Sequence, residues 1–349
     1  MSEMWDPVGV AVVGAGYWGP NLVRNFLACE STDLHWVCDT SLERAWNVVG
    51  RRSTVRATDR LDAVLEDTAV EAVAIATPVS THGDLALAAI QAGKHVLVEK
   101  PLAASVQAGE VLVDEARRLG RVLMCDHTYC YTPSVAKLRA LVHDGELGEL
   151  HYVDSVRLNL GLVQADTDVF WDLAPHDLSI LDFILPDGCI PDAVAAHGAD
   201  PMGVGQACIG YLSMPLAGGA IAHSHVNWLS PTKIRTTVVG GSRRTVVWDD
   251  LHPSQRISIY DRGVELAGVL DPEEHRESQV SYRVGDIVAP ALPEREALQG
   301  VVREFARSIR ETRAPVTDGE AGLRVLRVLE AATRSLANGG ALEPVAARV

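Results

Sequence analysis

The sequence predicts an α/β chain in two parts: a doubly wound parallel sheet, then an α+β domain whose open sheet is mostly antiparallel. Three observations carry that expectation. Buried strand-like runs alternate with helical ones from Val8 to about Asp126, the order that builds a parallel sheet covered by helices. A glycine turn, Gly14-x-Gly16-x-x-Gly19, separates the first strand from the first helix. Past that region the rhythm changes to runs that alternate apolar and polar residues, as half-exposed antiparallel strands do. The expected domains are therefore 1–125 and 126–349.

Each element of the first part has a local reason. "VGVAVVGAGYWGPNLVRNFLA" (Val8 to Ala28) reads as a short buried strand, the glycine turn and a helix that Pro20 suits at its first turn. "LHWVCD" is a strand ending at Asp39, and "SLERAWNVVGRR" and "TDRLDAVLED" are helical. "VEAVAIATP" has the near-continuous apolar character of a strand covered on both faces. A helix in "HGDLALAAIQAGK" stops at Gly93, "HVLVEKP" is a strand, "SVQAGEVLVDEARRLG" is a helix stopped at Gly120, and "RVLMCDH" is one more strand.

In the second part "SVAKLRALVHDGELG" is a helix. Strand-like runs follow in "LHYVDSVRLNL", "QACIGYLSM", "AIAHSHVNWLS", "IRTTVVGG", "RTVVWDD" and "RISIYDRG". "LQGVVREFARSIRETR" and "GLRVLRVLEAATRSLANGG" close the chain as amphipathic helices, which places helices on one face of an open sheet. A broad open face packs readily on a second copy, so a homodimer or homotetramer through this sheet is expected.

Composition bounds the function. A chain of 349 residues is long enough for two cores. The net charge of −15 repels phosphate backbones and anionic lipid, so neither nucleic acid nor membrane is expected as a partner. Six cysteines (Cys29, Cys38, Cys125, Cys130, Cys189, Cys208) show no CxxC pair and read as reduced, buried thiols. "MSEMWDP" is acidic and the apolar run after it is soon broken by glycines, so no signal peptide or membrane span is expected and the cytoplasm is the expected compartment.

The glycine turn carries the first chemistry. Gly14 permits the tight turn, Gly16 lets the backbone approach a pyrophosphate, and Gly19 lets the helix sit close to the strand. Asp39 stands twenty residues beyond Gly19 at a strand end, where a carboxylate can accept from an adenosine ribose. Together these form a dinucleotide-binding, Rossmann-type fingerprint. Asp39 would repel a ribose 2′-phosphate, which favours NAD over NADP as the cofactor. The expected cofactor contacts are Gly14, Gly16, Tyr17, Trp18, Gly19, Asp39, Thr77, Pro78, Glu99 and Lys100.

Lys100 ends the "HVLVEK" strand, and ligands of open parallel sheets bind beyond the carboxyl ends of strands. It reads either as a cation facing the nicotinamide end of the cofactor or as a surface lysine paired with Glu99. Pro101 favours the first reading, since the Lys100–Pro101 bond is a candidate cis peptide. Asp172 and His176 are four apart in "FWDLAPHDLSIL". If the helix starts near Pro175 they need not share a regular face, and Asp172 could cap it. His176 has the ring that best takes a proton from an alcohol near neutrality, or it is a helix-terminal structural residue; Asp177 beside it is ambiguous. His223 and His225 share a strand face without a third ligand nearby, so no metal is expected. His127 follows a parallel strand at the domain junction and could line the cleft.

"VVGAGYWGPNLVRNF", "IATPVSTHGDLALAAIQAGKHVLVEKPLA" and "FWDLAPHDLSIL" resemble the glucose-fructose oxidoreductase / inositol dehydrogenase (Gfo/Idh/MocA) family of NAD(P)-dependent sugar and cyclitol oxidoreductases. The resemblance implies that Lys100, Asp172 and His176 form the catalytic group. One departure is Asp168-Val169-Phe170-Trp171, where many members have paired glycines. "VDSVRLNLGLVQADTDVFWDLAPHDLSIL" and "HVNWLSPTKIRTTVVGGSRRTVVWDD" are more narrowly similar to the branch of UDP-N-acetylglucosamine and UDP-N-acetylglucosaminuronate 3-dehydrogenases and sugar-3-ketoreductases. This implies substrate contacts from Lys100, His127, Arg157, Asn159, Asp172 and His176, with Lys233 as a further candidate that reads first as part of a solvated loop after a Ser-Pro turn; Arg157 and Asn159 could equally face solvent from a strand. The implied activity is NAD-dependent interconversion of a ring secondary alcohol and a ketone, at C3 of a sugar or nucleotide-linked sugar, for a polysaccharide or a secondary metabolite. An inositol or cyclitol dehydrogenase, an NAD-dependent glycosidase and a non-catalytic NAD-binding sensor are the alternatives.

Overall fold

The computed structural model describes residues 5–51, 54–161, 163–164, 167–267 and 279–346. Met1–Met4, within the stretch read as lacking an export signal, lies outside them. The chain divides into two compact units, Met1–Thr132 with Arg295–Glu330 and Pro133–Glu294 with Ala331–Val349.

The first unit follows the expected alternation: β1 (Val8–Val13), α1 (Gly19–Ala28), β2 (Thr32–Cys38), α2 (Leu42–Val49), β3 (Arg56–Thr58), α3 (Leu61–Leu65), β4 (Ala72–Ile75), α4 (His82–Gln91), β5 (His95–Glu99), α5 (Val106–Leu119) and β6 (Leu123–Asp126). The six strands order as β3-β2-β1-β4-β5-β6, all parallel. Every residue of β1 and β4 is buried, as their unbroken apolar character requires of strands covered on both faces. The short edge strand β3 was not legible, since three residues give no period to read.

The second unit opens with α6 (Pro133–His143), β7 (Leu150–Leu160) and α7 (Val169–Ile184), followed by β8 (Ala193–Ala199), β9 (Ile209–Pro215), β10 (Ile221–Asn227), β11 (Leu229–Gly241), β12 (Thr245–Asp249), β13 (Ile257–Ala267) and β14 (Gln279–Val288). With β15 (Glu343–Pro344) they order as β14-β13-β12-β11-β7-β10-β9-β8-β15, and only β7 and β10 pair in parallel. Burial alternates along β9 and β10, so Leu212, Met214, Ala222, Ser224 and Val226 lie beneath helices while Tyr211 and Ile221 face outward, 43% and 50% exposed. Phe170 of α7 seats on the inner face over Gly210, where a Cβ would fall 2.2 Å from the ring. β8, β14 and β15 were not anticipated.

The closing helices α8 (Ala297–Glu311) and α9 (Gly319–Ala337) form where expected. Their assignment needs correction, because Arg295–Glu330 belongs to the first unit although the expected second domain ran to 349. The reason is the apolar stripe of α8: Leu298, Val301, Val302, Phe305 and Ile309 are buried in one core with Val8, Phe26 and Leu34. Periodicity showed the stripe but not which core would take it. Among the described residues no helix is long and apolar enough to cross a membrane.

Candidate active site

The glycine turn of the first unit is shaped for close approach of a ligand. Gly14 has φ +101°, and a Cβ there would lie 2.4 Å from the Ala76 carbonyl oxygen. At Gly19 a Cβ would lie 2.0 Å from the Gly14 oxygen, which is why α1 can sit so near the turn, whereas around Gly16 the space is open. No acidic residue occupies the first turn of α1, so its N-terminus suits a phosphate. Tyr17 is 93% exposed in this turn. Asp39 closes the turn from the end of β2: its Oδ2 accepts from Ala15 N at 2.7 Å and its Oδ1 from Ser41 N at 2.8 Å. Arg44 adds bonds to Oδ1 from Nε at 3.0 Å and a terminal guanidinium nitrogen at 2.7 Å. Burial works to raise the Asp39 pKa, but the Arg44, Ser41 and Ala15 bonds outweigh it and hold the carboxyl below its usual range. A carboxylate oxygen accepts two hydrogen bonds, so Oδ2 retains capacity for a ribose hydroxyl. These residues fit a dinucleotide.

Next along the carboxyl edge, His82 is buried and bridges two loops, with Nε2 at 2.9 Å from the Thr77 carbonyl and Nδ1 at 2.8 Å from that of Pro101. Burial lowers its pKa, and the two carbonyl contacts oppose that shift. Thr77 and Pro78 follow β4, and the Thr77 hydroxyl lies 2.7 Å from that of Thr81. The Lys100–Pro101 peptide is cis, and Lys100 is partly exposed at the end of β5.

Glu99, expected at the cofactor, is partly exposed at the end of β5. It lies beside Asp126 in the register of β5 and β6, with its Oε1 buried. Burial first, then the Asp126 charge, pushes the Glu99 carboxyl well above the usual range. Asp126 is raised by burial too, although its contacts with Glu99 and the Thr128 hydroxyl offset part of that. Two adjoining acids whose carboxyls are both pushed upward favour holding a proton between them, and Thr128 Oγ1 donates to Asp126 at 2.7 Å. His127, expected to line a cleft, is 1% exposed.

In the second unit the helix starts six residues before Pro175. Asp168 is the N-cap, accepting from Phe170 N at 2.9 Å and Trp171 N at 3.0 Å, so Asp172 is not the cap and instead lies inside α7 one turn before His176. Both are partly exposed on the same helical face. Pro175 lacks the N–H that would reach the Trp171 carbonyl, yet the helix continues through it. Asp172 Oδ2 accepts from Trp228 Nε1 at 3.0 Å, and Trp228 is 1% exposed between β10 and β11.

Arg157 is the main correction. It was expected to face the substrate or solvent, but it is 3% exposed and donates to Asp177 Oδ1 from Nε at 3.0 Å and from a terminal nitrogen at 2.7 Å. It sits on the helix-covered face of β7 in phase with Ser155 and Asn159. Asn159 is partly exposed beside Gly161 and Trp228. Lys233 is exposed where the register of β11 against β7 shifts. His225 stacks on Tyr211 with ring centroids 4.3 Å apart. His82, Asp126 and Trp228 were missed; only Asp126 left a signal, an acid ending an apolar strand just as Glu99 does.

Residues 8–127 match the model of the oxidoreductase family with an NAD-binding Rossmann fold, and residues 135–247 match that of the GFO/IDH/MocA C-terminal domain. The UDP-N-acetylglucosamine 3-dehydrogenase of Acidithiobacillus ferrooxidans is 29% identical over 325 residues, 90% of this chain and 93% of that one. The scyllo-inositol 2-dehydrogenase (NAD(+)) of Bacillus subtilis is 28% identical over 56% of this chain and 58% of its own. Among solved structures, GenD2 from gentamicin A biosynthesis in complex with NAD superposes with a TM-score of 0.82 at 27% identity, covering 99% of this chain and 98% of that one. With the fingerprint of the first unit matched and the open-sheet unit matched after it, the chain belongs to the Gfo/Idh/MocA family and is an NAD-dependent oxidoreductase.

Proposed function

We propose that the enzyme interconverts a ring secondary alcohol and a ketone at C3 of a sugar carried on a nucleoside diphosphate, with Lys100, Asp172 and His176 as its catalytic group. The observation that carries this reading is the placement of Asp172 and His176 one turn apart on the same face of α7, with Asp172 tied to Trp228. The substrate class is supported by the 3-dehydrogenase relative, which aligns along nearly the whole chain.

Gly14, Gly16, Gly19 and the start of α1 would hold the NAD pyrophosphate, and Asp39 the adenosine ribose. NAD, when bound, supplies the hydride acceptor for oxidation and, as NADH, the donor for reduction. His176 removes the hydroxyl proton in oxidation and returns it in reduction. Lys100 places a cation where the substrate oxygen gains negative character, and Asp172, fixed by the indole, keeps the site polar and oriented. The lysine thus ends β5 because the carboxyl edge of the sheet is where the chemistry requires charge.

Formation of NADH with a panel of UDP- and TDP-hexoses, myo- and scyllo-inositol and hexose 6-phosphates tests the reading. Turnover on a nucleotide sugar is expected. Turnover confined to cyclitols would replace the substrate class with the one that the inositol dehydrogenase relative favours. In the active reaction, His176→Asn should lower kcat by ~10² to 10⁴, the usual worth of a positioned acid/base; unchanged turnover would remove His176 from the mechanism. We also infer a cytoplasmic homodimer or homotetramer: all six cysteines are free, as a reducing compartment allows, and the outer sheet face presents Tyr211 and Ile221.

A further inference from the structure

One row of the nine-stranded sheet departs from its neighbours. Ser224 of β10 pairs with Ser155 of β7, which pairs in turn with Thr237 of β11. The row continues outward to Leu212 on one side and Trp248 on the other, so its polar centre lies between apolar flanks. All three hydroxyl residues are on the face that α7 covers, and they are 3%, 6% and 3% exposed respectively. Asp177 of α7 lies against them, 7% exposed.

Arg157 satisfies only one oxygen of Asp177, Oδ1. Its other oxygen, Oδ2, is buried without a hydrogen-bond partner in the protein, and so are Ser155 Oγ and Ser224 Oγ. Buried polar atoms in native proteins are nearly always paired, by the chain or by ordered water. These three border one small cavity, in which about 20 Å³ is open to the centre of a water-sized sphere. That volume exceeds the ~10–15 Å³ one water needs, and a water requires two to four polar partners. Apolar side chains, Leu181 and Met214 among them, line the rest.

We propose that a single internal water occupies this cavity, bonded to Asp177, Ser155 and Ser224, and that Asp177 is thereby a positioning residue for the α7 face that bears Asp172 and His176. Each of the three oxygens then gains a partner. Water donates one hydrogen to Asp177 Oδ2 and the other to one serine oxygen, and it accepts the hydroxyl hydrogen of the second serine. A metal cation is the poorer occupant, because the Arg157 guanidinium already balances the Asp177 charge. Asp177 then joins α7 to the sheet twice, through Arg157 and through the water to β7 and β10. His176 is the next residue along the chain, so a shift of Asp177 moves the acid/base with it. This positioning role rests on the function proposed above; the water site does not.

The test pairs a high-resolution crystal structure with the Ser155→Ala/Ser224→Ala variant. Wild-type density should show one peak within hydrogen-bond reach of Asp177 Oδ2, Ser155 Oγ and Ser224 Oγ, and the double variant should lose it. A wild-type map with no peak, or with the serine hydroxyls seated on chain partners, overturns the site. For positioning, the double variant should lose roughly tenfold in kcat, the scale on which small misplacements of reacting groups are felt, with KM for NAD unchanged. Its Trp228 indole N–H and His176 ring resonances should also shift in NMR spectra. Ser224→Ala alone keeps two partners and should retain the water with a smaller loss. Wild-type kcat and unshifted resonances in the double variant would overturn the positioning role even where the water is present. Absence of turnover in the wild-type enzyme would count against the proposed function alone, since the density and the resonances are read without substrate.

Discussion

Two of the proposed catalytic residues have an acid withdrawn partly or wholly from solvent as their neighbour in the chain, and the two acids are accommodated in opposite ways. Glu99 precedes Lys100 and lies against Asp126, and burial together with the Asp126 charge pushes its carboxyl well above the usual range. Asp177 follows His176 and lies against Arg157, which neutralises it by an ion pair whose side chains are both 4% exposed. Asp177 is the more deeply buried of the two, but the decisive difference is the sign of the partner. An acid beside an acid gives a neutral donor and a pH-dependent contribution to stability, whereas an acid beside a guanidinium gives a fixed cross-link between a helix and a sheet.

Breaking the second arrangement should have the larger effect. Arg157→Met leaves Asp177 as a buried charge without its counter-ion, and such losses cost about 3–5 kcal/mol. Denaturant unfolding of the second unit should report that loss. The double variant Arg157→Met/Asp177→Leu removes both charges and should recover most of it, since apolar replacement of a complete buried pair is often neutral or better. Equal destabilisation in the single and double variants would mean that shape, not charge, makes the pair necessary.

Glu99→Gln should be milder and should show itself in the pH dependence. The folded protein holds a proton on Glu99 above the unfolded value of about 4.3, so proton binding is greater in the folded state and stability falls as pH rises. One such group contributes a slope of up to ~1.4 kcal/mol per pH unit between its unfolded and folded pKa values. Glutamine can still donate to Asp126 but has no proton to lose, so the variant should flatten the profile and match or exceed wild type at alkaline pH. A profile unchanged by the substitution would show that the pair is not where the proton is held.

The contrast also explains what the sequence disclosed. The nucleotide cradle was legible because its constraints are largely local: Gly14 takes the positive φ that the turn needs, Gly19 lets α1 approach the Gly14 carbonyl, and Asp39 lies a fixed distance along one strand–turn–helix unit. Lys100 was legible for the same reason, as the end of a strand. Arg157 was misread because alternation shows that a residue shares a face with Ser155 and Asn159 but not which face the helix will cover. Trp228 reaches Asp172 from fifty-six residues away, and α8 packs into a core formed by the opposite end of the chain. Such pairings depend on topology, and no spacing rule contains them. The start of α7 was misplaced for a local reason: Pro175 suggested a first turn, while Asp168, with two backbone N–H groups to cap, began the helix earlier.

Asp39 sharpens the comparison as a third case, in which an acid 8% exposed is paired with a cation, Arg44, that is 56% exposed. A half-exposed cation contributes little to stability, so Arg44→Ala should cost at most ~1 kcal/mol. Its larger consequence lies in cofactor choice. The Arg44 guanidinium is held at Asp39 Oδ1 and within 3.3 Å of the Thr40 hydroxyl, beside the carboxylate expected to meet the ribose. While it remains, it offsets part of the repulsion between Asp39 and a 2′-phosphate, and it can turn from the carboxylate toward that phosphate. Its removal leaves the acid unopposed. Arg44→Ala should therefore weaken NADPH binding by about two- to fivefold relative to NADH, the ratio that ~0.5–1 kcal/mol of exposed electrostatics provides. Quenching of protein fluorescence by each reduced cofactor measures that ratio directly. If both affinities fall together, Arg44 acts by holding the turn from Asp39 to Ser41 in shape; if only NADPH binding falls, it acts through charge, as Arg157 does beneath α7.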